Sequence, residues 1–201
     1  FLVARRIMYW QVYLHKTVVS AELLVIHILK KAKNLSINGH KLFCTRPLLK
    51  FLQADYNLSD FKNDSELLDQ FSKLDDYDVF SCIKEWIDCS DKSLSTLCDW
   101  MINRKLYRVE ISTEPYPQEL INLYRQKTIE QLSIPEEDIK HFVFTEEIQN
   151  NAYNPLKDSI KILYKNGTIK DIAEASDQLN ISSLSSPVTK YFLCYPKTIK
   201  L

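Results

Sequence analysis

Arg5, Tyr9 and Tyr13 recur at four-residue intervals near the start of the chain. On a helix that spacing puts a guanidinium and two phenols on one face. A guanidinium offers paired N–H donors to phosphate oxygens. The plainer alternatives are a solvated arginine and two core tyrosines with satisfied hydroxyls. Arg6 sits about 100° round the helix from Arg5, so the two do not serve one phosphate. His15 and Lys16 follow as a second cationic pair, suited either to an anion or to solvent.

Other residue types that carry chemistry are scattered. The histidines are His15, His27, His40 and His141, and none is followed by Asp. The last three have no partner pattern and are expected at the surface or satisfied in the core. Asp75-Asp76-Tyr77-Asp78 is an acidic run, better explained by Asp75 capping a helix with Asp76 and Asp78 in its first turn. Cys44, Cys82, Cys89, Cys98 and Cys194 have no CxxC spacing and sit mostly among apolar neighbours. They predict reduced core thiols in a cytoplasmic protein rather than a zinc site. Only Gly39 and Gly167 are glycine, which excludes a glycine-rich phosphate loop.

The elements that position these residues read as α+β: a helical N-terminal half, then a small antiparallel sheet with one main packed helix. Residues 1 to about 33 carry apolar residues at three and four spacing with no Pro or Gly, and predict one long helix ending in Lys30-Lys31-Ala32-Lys33. Thr45 predicts an N-cap for a short helix through Phe51, with Pro47 in its first turn. Three more helices are predicted near 65–73, 76–87 and 91–104, with Asp75 and Ser90 as cap candidates. From Leu106 the pattern alternates as a strand to Ile111, and Pro117 to Leu132 reads as an amphipathic helix. Phe142–Phe144, Ser159–Tyr164 and Lys190–Tyr195 are strand candidates. Asn166-Gly167 predicts a hairpin turn, with Thr168–Ile172 as the returning strand. The organisation predicted is a helical region over 1–105 and an α+β subdomain over 106–201.

Of 201 residues, 45% are hydrophobic and 26% charged, ordinary values for a folded chain. Net charge is zero but unevenly placed. Residues 1–50 hold nine Lys/Arg against Glu22 alone, a balance of +8; residues 51–100 hold four Lys against twelve acids, a balance of −8. The two segments either neutralise each other or turn the basic one toward an anion. The acidic segment argues against a continuous nucleic-acid track. No run of apolar residues reads as a membrane span, and the opening Phe1-Leu2-Val3-Ala4-Arg5-Arg6 has no signal-peptide layout. A helix already under way at residue 1 suggests a piece of a longer protein.

The segment Ala4-Arg5-Arg6-Ile7-Met8-Tyr9-Trp10-Gln11-Val12-Tyr13-Leu14-His15-Lys16 resembles the arginine and Tyr-x-His-Lys helix that follows the catalytic core in HD-domain deoxynucleoside triphosphate triphosphohydrolases. Leu74 to Phe80, Asn103 to Tyr107, and Asn154-Pro155 with Ile160 to Tyr164 are similar to later segments of that family. The resemblance implies the C-terminal portion of a metal-dependent nucleotide phosphohydrolase that converts a dNTP to deoxynucleoside and triphosphate. Arg5 would reach the triphosphate and Tyr13 would pack near the sugar. Tyr9 stands where those enzymes often carry a histidine. His15 and Lys16 match a pair near a regulatory nucleotide site at a subunit interface, which implies a homo-oligomer. The HD ligands of a divalent metal (Mg, Mn, Fe or Zn) would lie upstream, leaving this piece without catalytic or metal residues and inactive alone. A non-enzymatic protein-binding or assembly module is the alternative.

Overall fold

A computed structural model describes residues 2–150, 159–175 and 188–201. The predicted opening helix is instead two helices, α1 (Leu2–Met8) and α2 (Lys16–Ile37), separated by a π-helical turn over Tyr9–Tyr13. The arm formed by α1 and the π-turn, Leu2–Tyr13, meets α2 at 59°. Leu14 N–H reaches back five residues to the Tyr9 carbonyl, which widens the turn. His15 is then extended, and its Nδ1 accepts the Thr17 N–H, so a new helix starts there. Neither Pro nor Gly marks this break, which is why periodicity runs straight across it.

Lys30 to Lys33 do not end α2. The helix continues one further turn to Ile37, where Asn38 Nδ2 and backbone N–H both donate to the Asn34 carbonyl. Leu24, His27, Ile28, Lys31, Ala32 and Leu35 lie on the buried stripe. An extended segment leads to α3 (Arg46–Gln53), with Thr45 before it and Pro47 in its first turn. Sequence reading passed over α4 (Leu58–Asn63), although Asn57 and Asp60 form a reciprocal capping box there. Then come α5 (Ser65–Ser72), α6 (Asp76–Glu85) with a 3-10 turn over Trp86–Asp88, and α7 (Lys92–Ile102). Asp75 and Asp78 make a second capping box on α6. Asp91, rather than Ser90, caps α7 by accepting the Leu94 N–H.

Beyond α7 the fold is α+β, as predicted. Strand β1 (Arg108–Ser112) is followed by α8 (Gln118–Leu132) and a 3-10 turn over Glu136–His141. Strand β2 (Phe144–Asn150) begins where a strand over Phe142–Phe144 was predicted, because Phe142 and Val143 belong to the turn that leaves the 3-10 segment. Strands β3 (Lys161–Leu163) and β4 (Ile169–Asp171) form the predicted hairpin, with Gly167 at φ 82 in its turn. A short α9 (Ile172–Ala175) precedes β5 (Val188–Tyr195). The sheet order is β1-β5-β2, with β5 central and antiparallel to both neighbours. Asn154-Pro155 lies outside the described residues.

One core runs from Val19 on α2 through Leu94, Leu97 and Cys98 on α7 to Phe192 and Leu193 on β5. Helix α2 therefore packs on both the helical layer and the sheet. No single described helix is long and apolar enough to cross a membrane; only the bent pair of α1 and α2 passes by length and composition together.

Candidate functional site

Arg5, Tyr9 and Tyr13 are brought together. The Arg5 guanidinium carbon lies 5.8 Å from the Tyr9 ring centroid, and the Tyr9 and Tyr13 rings are 5.1 Å apart. With Ala4 and Met8 they line an open cleft of about 420 Å³. Arg5 is exposed, Tyr9 half-buried and Tyr13 half exposed. Behind them, the Lys190 ammonium of β5 lies 3.9 Å from the Trp10 ring centroid and tethers the π-turn to the sheet. The four-residue spacing survives the widened turn, so the three side chains still share a face.

His15 and Lys16 are parted by the helix start. His15 is spent as the cap of α2, while Lys16 lines a neighbouring cleft of about 330 Å³. Thr17 and Ser20 of the same turn, residues 106–110 at the entry of β1, and Lys197 after β5 complete that cleft. Ser20 Oγ donates to the Tyr107 carbonyl, pinning α2 to the strand entry. Three cations, Lys16, Arg108 and Lys197, face one acid, Glu110. That acid is occupied: it accepts the Tyr195 hydroxyl and lies 3.8 Å from Arg108 Nε. Burial, and then the hydrogen bond to Glu110, push the Tyr195 hydroxyl far above its ordinary range. The cleft can therefore hold an anion by charge, with a helix N-terminus at its floor.

Sequence reasoning missed a buried polar cluster under α2. His27 and His141, given no partner from sequence, face each other with their Nδ1 atoms 3.1 Å apart. One must donate to the other. His27 Nε2 is buried with no partner, and a stranded N–H costs more than a stranded lone pair. His27 therefore carries its proton on Nδ1 and donates to His141. Burial, reinforced by the neighbouring His141, lowers His27 to about 3; burial also lowers His141 to about 4. One turn on, Lys31 Nζ sits 2.7 Å from Asp138 and 3.1 Å from Asp91. Burial pulls its ammonium down, but the bonds to Asp138 and Asp91 outweigh that and raise its pKa. Tyr107 Oη donates to the His141 carbonyl. This cluster locks α2 to α7 and to the 136–141 turn. The signal was present: His27 and Lys31 occupy the apolar stripe of α2.

Among the described residues no three His, Cys, Asp or Glu side chains form a metal ligand set. The acidic run at 75–78 is occupied in capping. All five cysteines are free thiols.

No protein-family model matches the chain. A solved phosphohydrolase from Bacteroides thetaiotaomicron superposes with a TM-score of 0.89 at 48% identity, over 98% of this chain and 49% of that one. The fold is that of part of a phosphohydrolase. The Bacillus subtilis protein YwfO is 28% identical over 209 residues, covering 99% of this chain and 44% of that protein. The chain thus spans about half the length of the relatives it matches.

Proposed function

We propose that the chain is the C-terminal portion of an HD-superfamily phosphohydrolase that hydrolyses a dNTP to deoxynucleoside and triphosphate. The observation that carries the phosphohydrolase part of this reading is the 48% identity and near-complete overlay with half of a phosphohydrolase, while the dNTP part rests on the resemblance of residues 4–16. The clustering of Arg5, Tyr9 and Tyr13 on an open face supports it further. In this reading Arg5 pairs with two non-bridging oxygens of the triphosphate, and Tyr9 and Tyr13 wall the sugar side of the pocket. The residues described here supply no metal ligand set, so the divalent metal would be held by the rest of the parent, where it activates water and polarises the phosphate. The cleft of Lys16, Arg108 and Lys197 would take the phosphates of a regulatory nucleotide, and exposed faces of this portion would supply contacts in a homo-oligomer.

Arg5 tests the reading in the full-length parent. A charge-assisted bidentate contact in a desolvated site is worth roughly 2–4 kcal/mol, or about 30- to 1000-fold in kcat/KM. Arg5→Ala should lose that much with dGTP, Arg5→Lys should recover only part, and Arg6→Ala should do much less. Thermal melting of each variant separates folding from catalysis. Equal and small effects of Arg5→Ala and Arg6→Ala would withdraw the phosphate-binding role.

A further inference from the structure

Cys44 and Cys82 stand apart from the other thiols. Their sulfur atoms are 3.8 Å apart, although 38 residues separate them in sequence. Cys89 instead turns its thiol to the Asp91 carbonyl, and Cys98 and Cys194 are buried in the core. A disulfide needs the two sulfurs about 2.05 Å apart, so they must close by less than about 2 Å. Both carriers are held in place. Cys82 lies on α6 and is fully buried. Cys44 lies in the extended segment before α3, where the neighbouring Phe43 carbonyl accepts the Trp86 Nε1–H at 2.8 Å. The segment also runs into the first turn of α3 through the bond from Leu49 N–H to the Thr45 carbonyl.

We infer that Cys44 and Cys82 form a dithiol modification site that a hydroperoxide converts to an intramolecular disulfide. Cys44 is half-buried and meets the oxidant first; Cys82 resolves. The Cys44 thiol gives its proton to water and its thiolate attacks a peroxide oxygen. The O–O bond breaks, and the leaving hydroxide takes up a proton to become water. Cys44 is then a sulfenic acid. The Cys82 sulfur attacks that sulfur, the S–O bond breaks, and the departing hydroxide takes the Cys82 proton as a second water. Two thiols are oxidised by two electrons, and one hydrogen peroxide is reduced to two waters. The loop so closed contains α3, α4 and α5. Helix α4 buries no residue and α5 buries only Leu67, so the bond staples helices with few buried residues.

The chemistry also sets the rate. Burial, and then the adjacent Cys82, push the Cys44 thiol well above its usual range. The reactive thiolate is scarce at neutral pH, and the reaction should quicken about tenfold per pH unit over the range 7 to 9.

The test uses purified 1–201 with hydrogen peroxide, quenched with a maleimide. Counted in denaturant, oxidised chain should lose two of its five thiols and two hydrogen atoms of mass. Non-reducing peptide maps should join Cys44 to Cys82, and dithiothreitol should reverse the change. Proteolysis within residues 54–73 should slow on oxidation. Cys82→Ala keeps the site apolar and should leave Cys44 as a sulfenic acid that dimedone traps. Cys44→Ala, the second variant, should leave Cys82 unreacted. A map joining any other pair would overturn the proposal. So would a wild-type Cys44 that over-oxidises as fast as it does in Cys82→Ala.

Discussion

Single residues show where type and spacing were enough and where they were not. Arg5, Tyr9 and Tyr13 were legible because four-residue spacing is a local property, and the rings do meet. The His27–His141 contact was not, since 114 residues separate the partners and nothing local marks the pairing. It carries a pH prediction. Both histidines are held neutral, with pKa values of about 3 and about 4 against 6.5 when unfolded. Below pH 6.5 the unfolded chain takes up protons that the native chain refuses, so stability falls as pH drops toward 4. The slope is at most about 1.4 kcal/mol per pH unit for each histidine. Urea unfolding from pH 7.5 to 4.5 should show that loss, and a His27→Phe/His141→Leu variant should flatten it. A wild-type slope equal to the variant's would mean the pair does not titrate as described.

At the scale of elements, caps and stripes were readable and breaks were not. Asp75 and the Asn166-Gly167 turn behave as their types dictate, whereas Thr45 stands before α3 without a side-chain cap bond, its Oγ1 buried and unpartnered. The 59° break before His15 did not announce itself, because a histidine cap after a π-turn has no Pro or Gly signature. Strand β2 was largely missed for a related reason: Thr145 to Asn150 is a polar edge strand without apolar alternation. Lys31 shows how an element is locked. Its Nζ joins α2 to the α7 cap Asp91, which is partly exposed, and to Asp138, which is nearly dry like Lys31 itself. Lys31→Met leaves the buried Asp138 carboxylate uncompensated and should cost roughly 3–5 kcal/mol in urea unfolding. Replacing both partners, as Lys31→Met/Asp138→Leu, should recover much of that loss. A single variant as stable as wild type would show that the pair contributes nothing. On α6, Asp75→Ala should cost about 1 kcal/mol through the lost capping box.

For the whole molecule, the opposite charges of the first two 50-residue segments are partly explained inside the fold. Lys31 meets Asp91, and Lys33 meets Asp55 at 2.6 Å. Lys16 instead turns to the cleft that it shares with Arg108 and Lys197. The α+β class was legible from the change of period near Leu106. The single core linking helices to sheet was not, because α2 packs against a strand 70 residues and more downstream. The chain spans about half the length of its relatives, and Arg5 and Tyr13 are exposed on its surface. Both facts lead to one measurement. Purified 1–201 and the full-length parent are each given dGTP with Mg²⁺ or Mn²⁺, and products are separated by chromatography. The parent should release deoxyguanosine and triphosphate, while 1–201 alone should release neither. Turnover by 1–201 that survives purification controls, or a parent inert toward dGTP, would contradict the account.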